Sequence, residues 1–431
     1  MYVAIAIAAA TCIAMIAAVL FFPKLKIGKF SVSSYWVVTL IGALLLLLTK
    51  TVSIGTVGSA LIADNAINPI KILVLFISMT ILSIFLDEFG FFKYLANATL
   101  KYAGESQTKL FIILYATISV LTVFTSNDII ILSFTPFVCY FAKNAHINPI
   151  PYLAAEFVAA NTWSMALIIG NPTNIYLVTA TGGDFISYAK VMILPTLASG
   201  VISIICLYLL FRKQLSTPIS ATPQHVVIED KLLLGIGIAH LAICTVVLAV
   251  GSYFDIEMWI VSLVSVISLF ACNIVISIIR RKKPVALVAC LRRAPWELIP
   301  FVISMFIVVE ALGATGVTNK LFNMLGDTLP VWKYGVSSFL ASNLINNIPM
   351  SVLFSSILMN STSNIKAVYA TVVGSNLGAC LTPIGALAGI MWCSILKEQK
   401  LKFGYTDFLK IGVTIAVPSL IAALAVLEFI L

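Results

Sequence analysis

Charge is the scarcest feature of this chain of 431 residues. Only 10% of its residues are Asp, Glu, Lys or Arg, whereas 61% are hydrophobic and the mean hydropathy is +1.09. A soluble protein carries roughly 25% charged residues. Apolar stretches long enough to cross a bilayer recur from end to end, and no long polar stretch is left for a separate soluble domain. The composition therefore predicts an all-α polytopic membrane protein, with about 10–11 transmembrane segments in a lipid bilayer.

Clusters of metal-binding or catalytic residues are also lacking. The eight cysteines lie singly in or beside apolar segments, and no CxxC pair occurs, which excludes a disulfide framework or a zinc site of the usual spacing. The three histidines lie far along the chain from the polar breaks described below, so an enzyme is disfavoured. No GxxxxGK[ST] sequence is present, so the chain has no nucleotide site of its own and no cofactor is predicted.

The net charge of +9 could indicate nucleic-acid binding, but basic loops on one side of a membrane explain it more simply. The first apolar stretch, 2–22, has no basic leader and is long enough to span, so it is predicted to be a retained helix. Six of the 26 Lys and Arg residues fall on one side of the predicted topology: Lys50, Lys71, Lys190, Lys320, Lys333 and Lys366. The opposite side carries all the other Lys and Arg residues, so it is predicted to be cytoplasmic by the positive-inside rule. This predicts a plasma (inner) membrane protein with both termini external.

Two long apolar runs are interrupted by polar residues. The run at 109–143 is too long for one helix and contains Ser126, Asn127 and Asp128, while the run at 333–360 contains "NNIP" from Asn346. Each run has both ends on the same predicted side of the membrane, so each predicts a re-entrant helical hairpin. The two hairpins would enter from opposite sides.

A segment with a break of its own follows each hairpin. The segment at 148–180 contains "GNPTN", and the segment at 366–395 contains "TPIG". Because proline removes a backbone donor and glycine loosens a helix, both segments are predicted to unwind inside the membrane. The arrangement predicts two inverted repeats, 1–211 and 232–431, joined by a cytoplasmic linker at 212–231. Such repeats indicate a secondary transporter with its site near the midplane of the bilayer.

Neutral oxygen- and nitrogen-bearing side chains at the breaks are candidate ligands for an ion or a hydroxylated solute, although each could instead cap a half-helix. The candidates are Ser126, Asn127, Asp128, Asn161, Thr162, Asn171, Thr173, Asn174, Asn346, Asn347, Asn376, Thr382 and Gly385.

Asp128 is the strongest indication of a functional site, because inserting an aspartate at the centre of a membrane helix costs about 2.5–3.5 kcal/mol. Desolvation disfavours the charged form of a carboxylate, which makes Asp128 a candidate proton carrier. Glu156 is a second candidate, with helix packing as the alternative. Asp87, Glu88, Glu310 and Glu428 lie near span ends, where interfacial solvation explains them. Cys380 could meet a thiophilic metalloid solute, but a lone buried cysteine more often serves packing.

The polar tip of each predicted hairpin and the break that follows it resemble those of the ion transporter superfamily. This superfamily includes divalent-anion/Na⁺ symporters and ArsB-type arsenite efflux permeases. The symporters carry SNT at each tip, whereas this chain has SND from Ser126 and NNI from Asn346. The acidic third position, the second tip and the closing stretch 374–418 are more similar to the ArsB-type branch. The resemblance implies arsenite or antimonite efflux coupled to protons by an elevator-type or other alternating-access mechanism. It also implies a cytoplasmic ATPase subunit as a possible partner, and it leaves homodimer formation open.

Charge favours the same branch. A di- or tricarboxylate beside an ionised Asp128 would meet a like charge, and no lysine or arginine lies in the tips or breaks to offset it. A neutral solute or a small cation avoids this repulsion. The alternatives are a Na⁺/H⁺ antiporter using the same aspartate, then a Na⁺-coupled di- or tricarboxylate symporter. A channel is disfavoured because the polar breaks are scattered.

Overall fold

The computed structural model describes residues 1–431 except 23, 28–29, 64–67, 220–227, 229, 252–253, 255 and 360–364. Much of the predicted linker at 212–231, and residue 360 at the end of the second predicted hairpin, lie outside the described residues. Eight helical segments of the described chain are long and apolar enough to cross a membrane: Tyr2–Val19, Pro69–Glu88, Gln107–Phe124, Phe185–Leu215, Lys231–Gly251, Met258–Ile279, Val285–Ala314 and Tyr405–Ile430. Two shorter apolar helices are Ser34–Leu48 and Asn347–Leu358. The predicted helical membrane protein is confirmed.

The chain begins with helix α1 (Tyr2–Phe21), followed by two short antiparallel strands, β1 (Lys24–Ile27) and β2 (Phe30–Ser33). Helices α2 (Ser34–Leu48) and α3 (Ile54–Ile62) come next. The strands are an addition to the predicted all-α fold. Their sequence signal is the alternation of lysine with leucine and isoleucine in "KLKI", which has the period of a half-buried strand.

The next seven helices contain the first tip and the first broken segment. They are α4 (Pro69–Glu88), α5 (Phe91–Ala103), α6 (Gln107–Phe124), α7 (Asn127–Asn144), α8 (Ile150–Trp163), α9 (Pro172–Ala180) and α10 (Phe185–Leu215). The polar tip separates α6 from α7. A short 3₁₀ turn, Ile168–Gly170, lies in the break between α8 and α9.

The second half repeats this order. Its helices are α11 (Lys231–Gly251), α12 (Met258–Ile279), α13 (Val285–Arg293), α14 (Leu298–Ala314), α15 (Val317–Leu325), α16 (Pro330–Ile345), α17 (Asn347–Leu358), α18 (Ile365–Gly378), α19 (Leu387–Glu398) and α20 (Tyr405–Ile430). The second tip separates α16 from α17, and the 3₁₀ turn Pro383–Gly385 lies in the break between α18 and α19.

Helix contacts in the two halves are reciprocal. Helix α4 packs against α12, and α14 packs against α2. Each half-helix that follows a break packs against the tip helix of the other half, α9 against α17 and α19 against α7. The two long helices α10 and α20 pack against each other, and the hydroxyls of Ser203 and Ser419 are 2.8 Å apart between them. Each half therefore covers the broken segment of the other.

Short helices α5 and α15 occupy equivalent places, each directly before the helix that leads to a tip, and the sequence analysis did not predict them. Both begin after a glycine in the left-handed conformation, Gly90 (φ 74°) and Gly316 (φ 76°). A residue with a Cβ is strained at such angles, so these two glycines are the local signal for the sharp turns.

Ion pairs mark the two ends of the helical bundle. At one end, Lys71 of α4 pairs with Glu257 before α12 (2.6 Å). At the other end, which we call the basic end, Arg280 pairs with Asp230 and Arg293 pairs with Asp87 (2.6 Å). Helix α4 runs from the first end to the basic end. Lys71, which is predicted to be external, therefore lies at the opposite end from Arg280 and Arg293, which are predicted to be cytoplasmic.

Aromatic side chains pack between the two broken segments and α20. Trp392 of α19 is 2% exposed and its ring lies 5.2 Å from that of Phe157 on α8 and 5.7 Å from that of Phe408 on α20. Aromatic pairs at such separations stabilise a core beyond the burial of their area. The second half of one broken helix is thereby held against the first half of the other.

Candidate transport site

The first tip is a two-residue interruption between α6 and α7. Thr125 is extended and its hydroxyl donates to the carbonyl of Leu121 (2.8 Å), which ends α6. Asn127 then begins α7, and its amide donates to the side chain of Asn161 on α8 (3.2 Å). This bond anchors the tip to the first half of the broken helix.

Several polar atoms at this tip are buried without a partner. Within the described residues, Ser126 Oγ makes no hydrogen bond and Asn127 Oδ1 accepts none, although both residues are only 2% exposed. Thr162 Oγ1, beside Asn161 on α8, is also buried and unpartnered. A buried polar group without a partner costs about 1–3 kcal/mol, so these three oxygens are candidates for binding a solute or an ion.

Asp128 follows directly in the first turn of α7, and it lines a cavity of about 200 Å³. Its carboxylate is half-buried and makes no hydrogen bond or ion pair with any residue that the structure describes. The positive end of the α7 dipole favours a negative charge at this position. An aspartate that is open to a cavity and unpaired is available for a proton or a cation.

The cavity extends from the tip toward the basic end of the bundle. Its walls come from α1, α4, α7, α14 and α19, and the β1–β2 hairpin closes one side. The polar and charged side chains that line it are Lys24, Ser33, Tyr35, Thr80, Asp128, Arg293, Glu297 and Ser394. Apart from Asp128, none of these is predicted from the sequence as a site residue, because their segments lie far apart in the chain. Glu297 sits in the turn between α13 and α14, where the sequence offers only a break in an apolar run.

The first broken segment is held by asparagine side chains. Asn171 caps α9 by accepting from the backbone N–H and the hydroxyl of Thr173, both at 3.1 Å. Asn174 donates to the carbonyl of Ser164 (2.8 Å), just beyond the end of α8, and to the carbonyl of Leu167 (3.1 Å), which also accepts from the backbone N–H of Gly170 (3.2 Å). These predicted ligands are engaged in bracing the break.

Asn376 of α18 joins the two halves at their centre. Its Oδ1 accepts from the hydroxyl of Ser164 and the amide of Asn171, each at 2.9 Å. Its Nδ2 donates to the side chain of Asn174 (2.7 Å) and to the carbonyl of Val372 (2.8 Å). All four hydrogen-bonding positions of this amide are occupied by protein groups.

Replacing Asn376 with alanine should lower the free energy of unfolding by about 2 kcal/mol, because the partners on the first broken segment lose their bonds inside a dry core. Thermal unfolding of the detergent-solubilised protein would measure this change. Asn273→Ala on α12 is the matched control, since Asn273 is also buried but makes no hydrogen bond within the described residues, and we expect it to cost under about 1 kcal/mol. A wild-type unfolding midpoint in Asn376→Ala, combined with loss of solute-induced stabilisation, would instead make Asn376 a ligand.

The second tip is closed by its own broken segment. Asn346 has a positive φ of 72°, and its amide donates to the carbonyl of Ile384 in the second break (2.9 Å). Thr382 donates to Asn343 (2.6 Å), one turn before the tip. Asn347 begins α17 and its side chain makes no hydrogen bond within the described part of the chain. The second tip therefore leaves one amide free, where the first leaves a carboxylate, an amide oxygen and hydroxyls.

Two further residues support this second break. A Cβ on Gly385 would lie 2.8 Å from the carbonyl of Gly378 and 2.9 Å from Asn343 Oδ1, so this glycine permits close packing. Asn343 was not identified from the sequence, although it stands one turn before the tip in "ASNLINN" and could have been found by that spacing.

Glu156 and Cys380 lie away from the cavity that Asp128 lines. Glu156 is fully buried, and its Oε1 accepts from the hydroxyl of Thr135 on α7 (2.7 Å), while its Oε2 has no partner among the described residues. Cys380 is 3% exposed in the second break, and its carbonyl packs against Gly412 of α20. In the described residues, no group of three or more His, Cys, Asp or Glu is placed to hold a metal ion.

Comparison with known proteins extends over most of the chain. Residues 27–370 match the citrate transporter family (CitMHS). An arsenical pump membrane protein of Escherichia coli is 27% identical over 409 residues, covering 91% of this chain and 92% of that protein. An arsenical pump membrane protein of Yersinia enterocolitica is 27% identical over 371 residues, covering 82% and 84%.

A solved structure supports the fold. The YdaH transporter of Alcanivorax borkumensis superposes with a TM-score of 0.57 at 12% identity, covering 97% of this chain and 96% of that one. The predicted resemblance to ArsB-type permeases of the ion transporter superfamily is confirmed by the sequence matches, and the chain belongs to the citrate transporter family.

Proposed function

We propose that the protein is an efflux permease that exports arsenite or antimonite in exchange for protons. The observation that carries the proposal is Asp128, an unpaired carboxylate that lines a cavity and directly follows Ser126 and Asn127, whose side-chain oxygens are buried without partners. The names of the arsenical pump membrane proteins of Escherichia coli and Yersinia enterocolitica point to the same class of solute.

The chemistry of the site favours a neutral, hydroxylated solute such as As(OH)₃. Ser126 Oγ and Asn127 Oδ1 supply neutral hydrogen-bonding groups at the tip. Arg293 lines the cavity but is already paired with Asp87 and Glu88, so it is not free to balance an anionic solute. A carboxylate solute would therefore approach two carboxylates, Asp128 and Glu297, with Lys24 at the exposed rim as the one basic side chain of the lining without an ion pair among the described residues.

The orientation follows from the basic residues. By the positive-inside rule the basic end would face the cytoplasm, together with the side of the cavity that Arg293 lines. In this conformation Asp128 would face the cytoplasm, ready to release a proton and receive the solute. Uptake of a proton from outside would occur after the site becomes accessible from the opposite end.

The reciprocal packing of the halves supports two inverted repeats and an alternating-access mechanism. Helices α7 and α9 of the first half contact α19 and α17 of the second, so the two tips lie in equivalent surroundings. We propose that the hairpins and broken helices move together as an elevator-type unit against the remaining helices. Glu156, which bonds to Thr135 on the tip helix, would travel with this unit and is the second candidate for proton coupling.

Partners remain part of the proposal. Any ATP-driven version of this transport would require a separate cytoplasmic ATPase subunit, because the sequence contains no GxxxxGK[ST] motif. A homodimer is compatible with an elevator mechanism, in which one part of the protein must stay fixed in the bilayer.

The family match favours one competing function, namely Na⁺-coupled transport of a di- or tricarboxylate such as citrate. A Na⁺/H⁺ antiporter using Asp128 is the other competitor. Both differ from the main proposal in the ion or solute that responds to a gradient.

Everted membrane vesicles with an acidic lumen separate the three functions. If the proposal is correct, arsenite accumulates in the lumen as protons leave, and Na⁺ is not required. Collapse of the gradient by Na⁺ without arsenite movement would identify the Na⁺/H⁺ antiporter. Movement of citrate that depends on Na⁺ would identify the carboxylate symporter.

A further inference from the structure

Glu297 is an acidic residue that shares the cavity with Asp128. It stands at the N-cap of α14, in the turn that joins this helix to α13, and its side chain is half-buried. The cavity connects the tip, where Asp128 lies, with the basic end, where Glu297 and Arg293 lie. The two carboxylates therefore line one cavity.

Glu297 makes no ion pair with any residue that the structure describes. Its Oε1 accepts from the backbone N–H of Ser33 (3.0 Å), and its Oε2 lies 3.5 Å from the hydroxyl of Tyr35, which donates to it. Neither contact is an ion pair. The nearby Arg293 is committed to Asp87 and Glu88, and among the described residues Glu297 has no basic partner.

The titratable and charged groups that line the cavity are few. They are Lys24, Tyr35, Asp128, Arg293 and Glu297. Lys24 lies at the exposed rim and makes no ion pair with any residue that the structure describes. Tyr35 stands on α2 in the wall that Glu297 faces, and its ring packs edge-on against Phe301 of α14 (5.1 Å), which fixes its position. Glu297 is thus the one carboxylate besides Asp128 that lines this cavity within the described chain.

We propose that Glu297 accepts the proton that Asp128 releases on the cytoplasmic side, an inference that rests on the proposed function. The O–H bond of the Asp128 carboxylic acid breaks, and its proton passes to a water molecule in the cavity. That water gives a proton to the Glu297 carboxylate, which releases it to the cytoplasm. A cavity of about 200 Å³ has room for the water that this transfer needs. Tyr35 is a positioning residue that holds the Glu297 carboxylate toward the cavity.

A glutamine at position 297 separates this role from a structural one. The amide oxygen of Glu297→Gln can still accept from the N–H of Ser33, and the amide volume matches that of the carboxylate. The variant cannot take up and release a proton at cytoplasmic pH. A purely structural role would therefore survive the change, whereas a proton-relay role would not.

The test uses everted vesicles with wild type and Glu297→Gln, measuring both gradient-driven arsenite accumulation and arsenite counterflow at equal pH. Counterflow exchanges solute for solute and needs no net proton release. We expect gradient-driven accumulation to fall about 10-fold or more in the variant, since a positioned proton acceptor has been removed. Counterflow should stay near the wild-type rate. The variant's accumulation should recover as the pH on the cytoplasmic face is raised, because direct release from Asp128 to water then becomes easier.

Two further variants test whether the effect requires a carboxylate at this position. Glu297→Asp restores a proton acceptor and should recover part of the lost rate. Glu257→Gln makes the same chemical change at the opposite end of the bundle, outside this cavity, and should leave both measurements unchanged. Gradient-driven accumulation that is equal in wild type and Glu297→Gln at every pH would overturn the inference. If wild type itself does not accumulate arsenite, the proposed function has failed, and this outcome is distinct from failure of the relay.

Discussion

Replacing Asp128 with asparagine should abolish proton-driven transport while leaving the fold intact. The carboxylate makes no hydrogen bond or ion pair with any described residue, so the isosteric amide removes no packing or bonding that the structure shows. It does remove the titratable group at the tip. We expect the gradient-driven rate of arsenite accumulation to fall by about 100-fold or more, since intramembrane carboxylates of transporters carry the coupled proton. The measurement is arsenite uptake into everted vesicles with an acidic lumen.

Glu310→Gln is the matched control for this variant. Glu310 is also a half-buried carboxylate of a membrane helix, on α14, and it does not line the cavity of Asp128. Its variant should keep the wild-type rate. Gradient-driven uptake that persists in Asp128→Asn with an unchanged pH dependence would show that another group carries the proton, and Glu156→Gln would then be the next variant to measure.

The sequence allowed the breaks to be located because their causes are local. An Asn-rich tip or a Gly-Pro pair interrupts a helix wherever the chain later folds, so the helix ends at Phe124 and Ile345 correspond to visible polar residues. Asp128 could be selected for the same reason, since a carboxylate inside an apolar run is conspicuous without any knowledge of its neighbours.

The partners of the polar residues could not be predicted in this way. Asn376 looks like Asn127 in the sequence, yet three of its four hydrogen bonds go to the opposite half of the protein and the fourth to its own helix, whereas Asn127 keeps a free oxygen. Whether an asparagine stabilises a break or keeps an atom available for a ligand depends on contacts between residues that are more than 200 positions apart in the chain. Glu297 joins the site for the same reason, because only the packing of α14 beside α4 and α2 brings it to the cavity.

The largest expected effect on stability concerns Gly374, where α18 packs against the backbone of α16. A Cβ at this position would lie 2.2 Å from the carbonyl oxygen of Gly335 and 2.8 Å from the backbone nitrogen of Phe339. Backbone atoms cannot rotate away as side chains can, so the helices would have to separate. In a membrane, where helices associate mainly through close packing, small residues such as Gly374 and Gly378 in "GSNLG" permit this contact.

Gly374→Ala should therefore lower the free energy of unfolding by about 3 kcal/mol, the upper part of the range for overpacked cores, and Gly374→Leu should prevent recovery of folded protein. The measurement is the thermal midpoint of the detergent-solubilised protein, followed by size-exclusion chromatography. Gly235→Ala on α11 is the control, because a Cβ there meets nothing within 4 Å and alanine favours a helix by up to about 1 kcal/mol. An unfolding midpoint of Gly374→Ala equal to that of Gly235→Ala would show that α16 and α18 are not in this close contact. Since α18 carries Asn376 and leads into the second break, separation of these helices would also disturb the brace between the two halves.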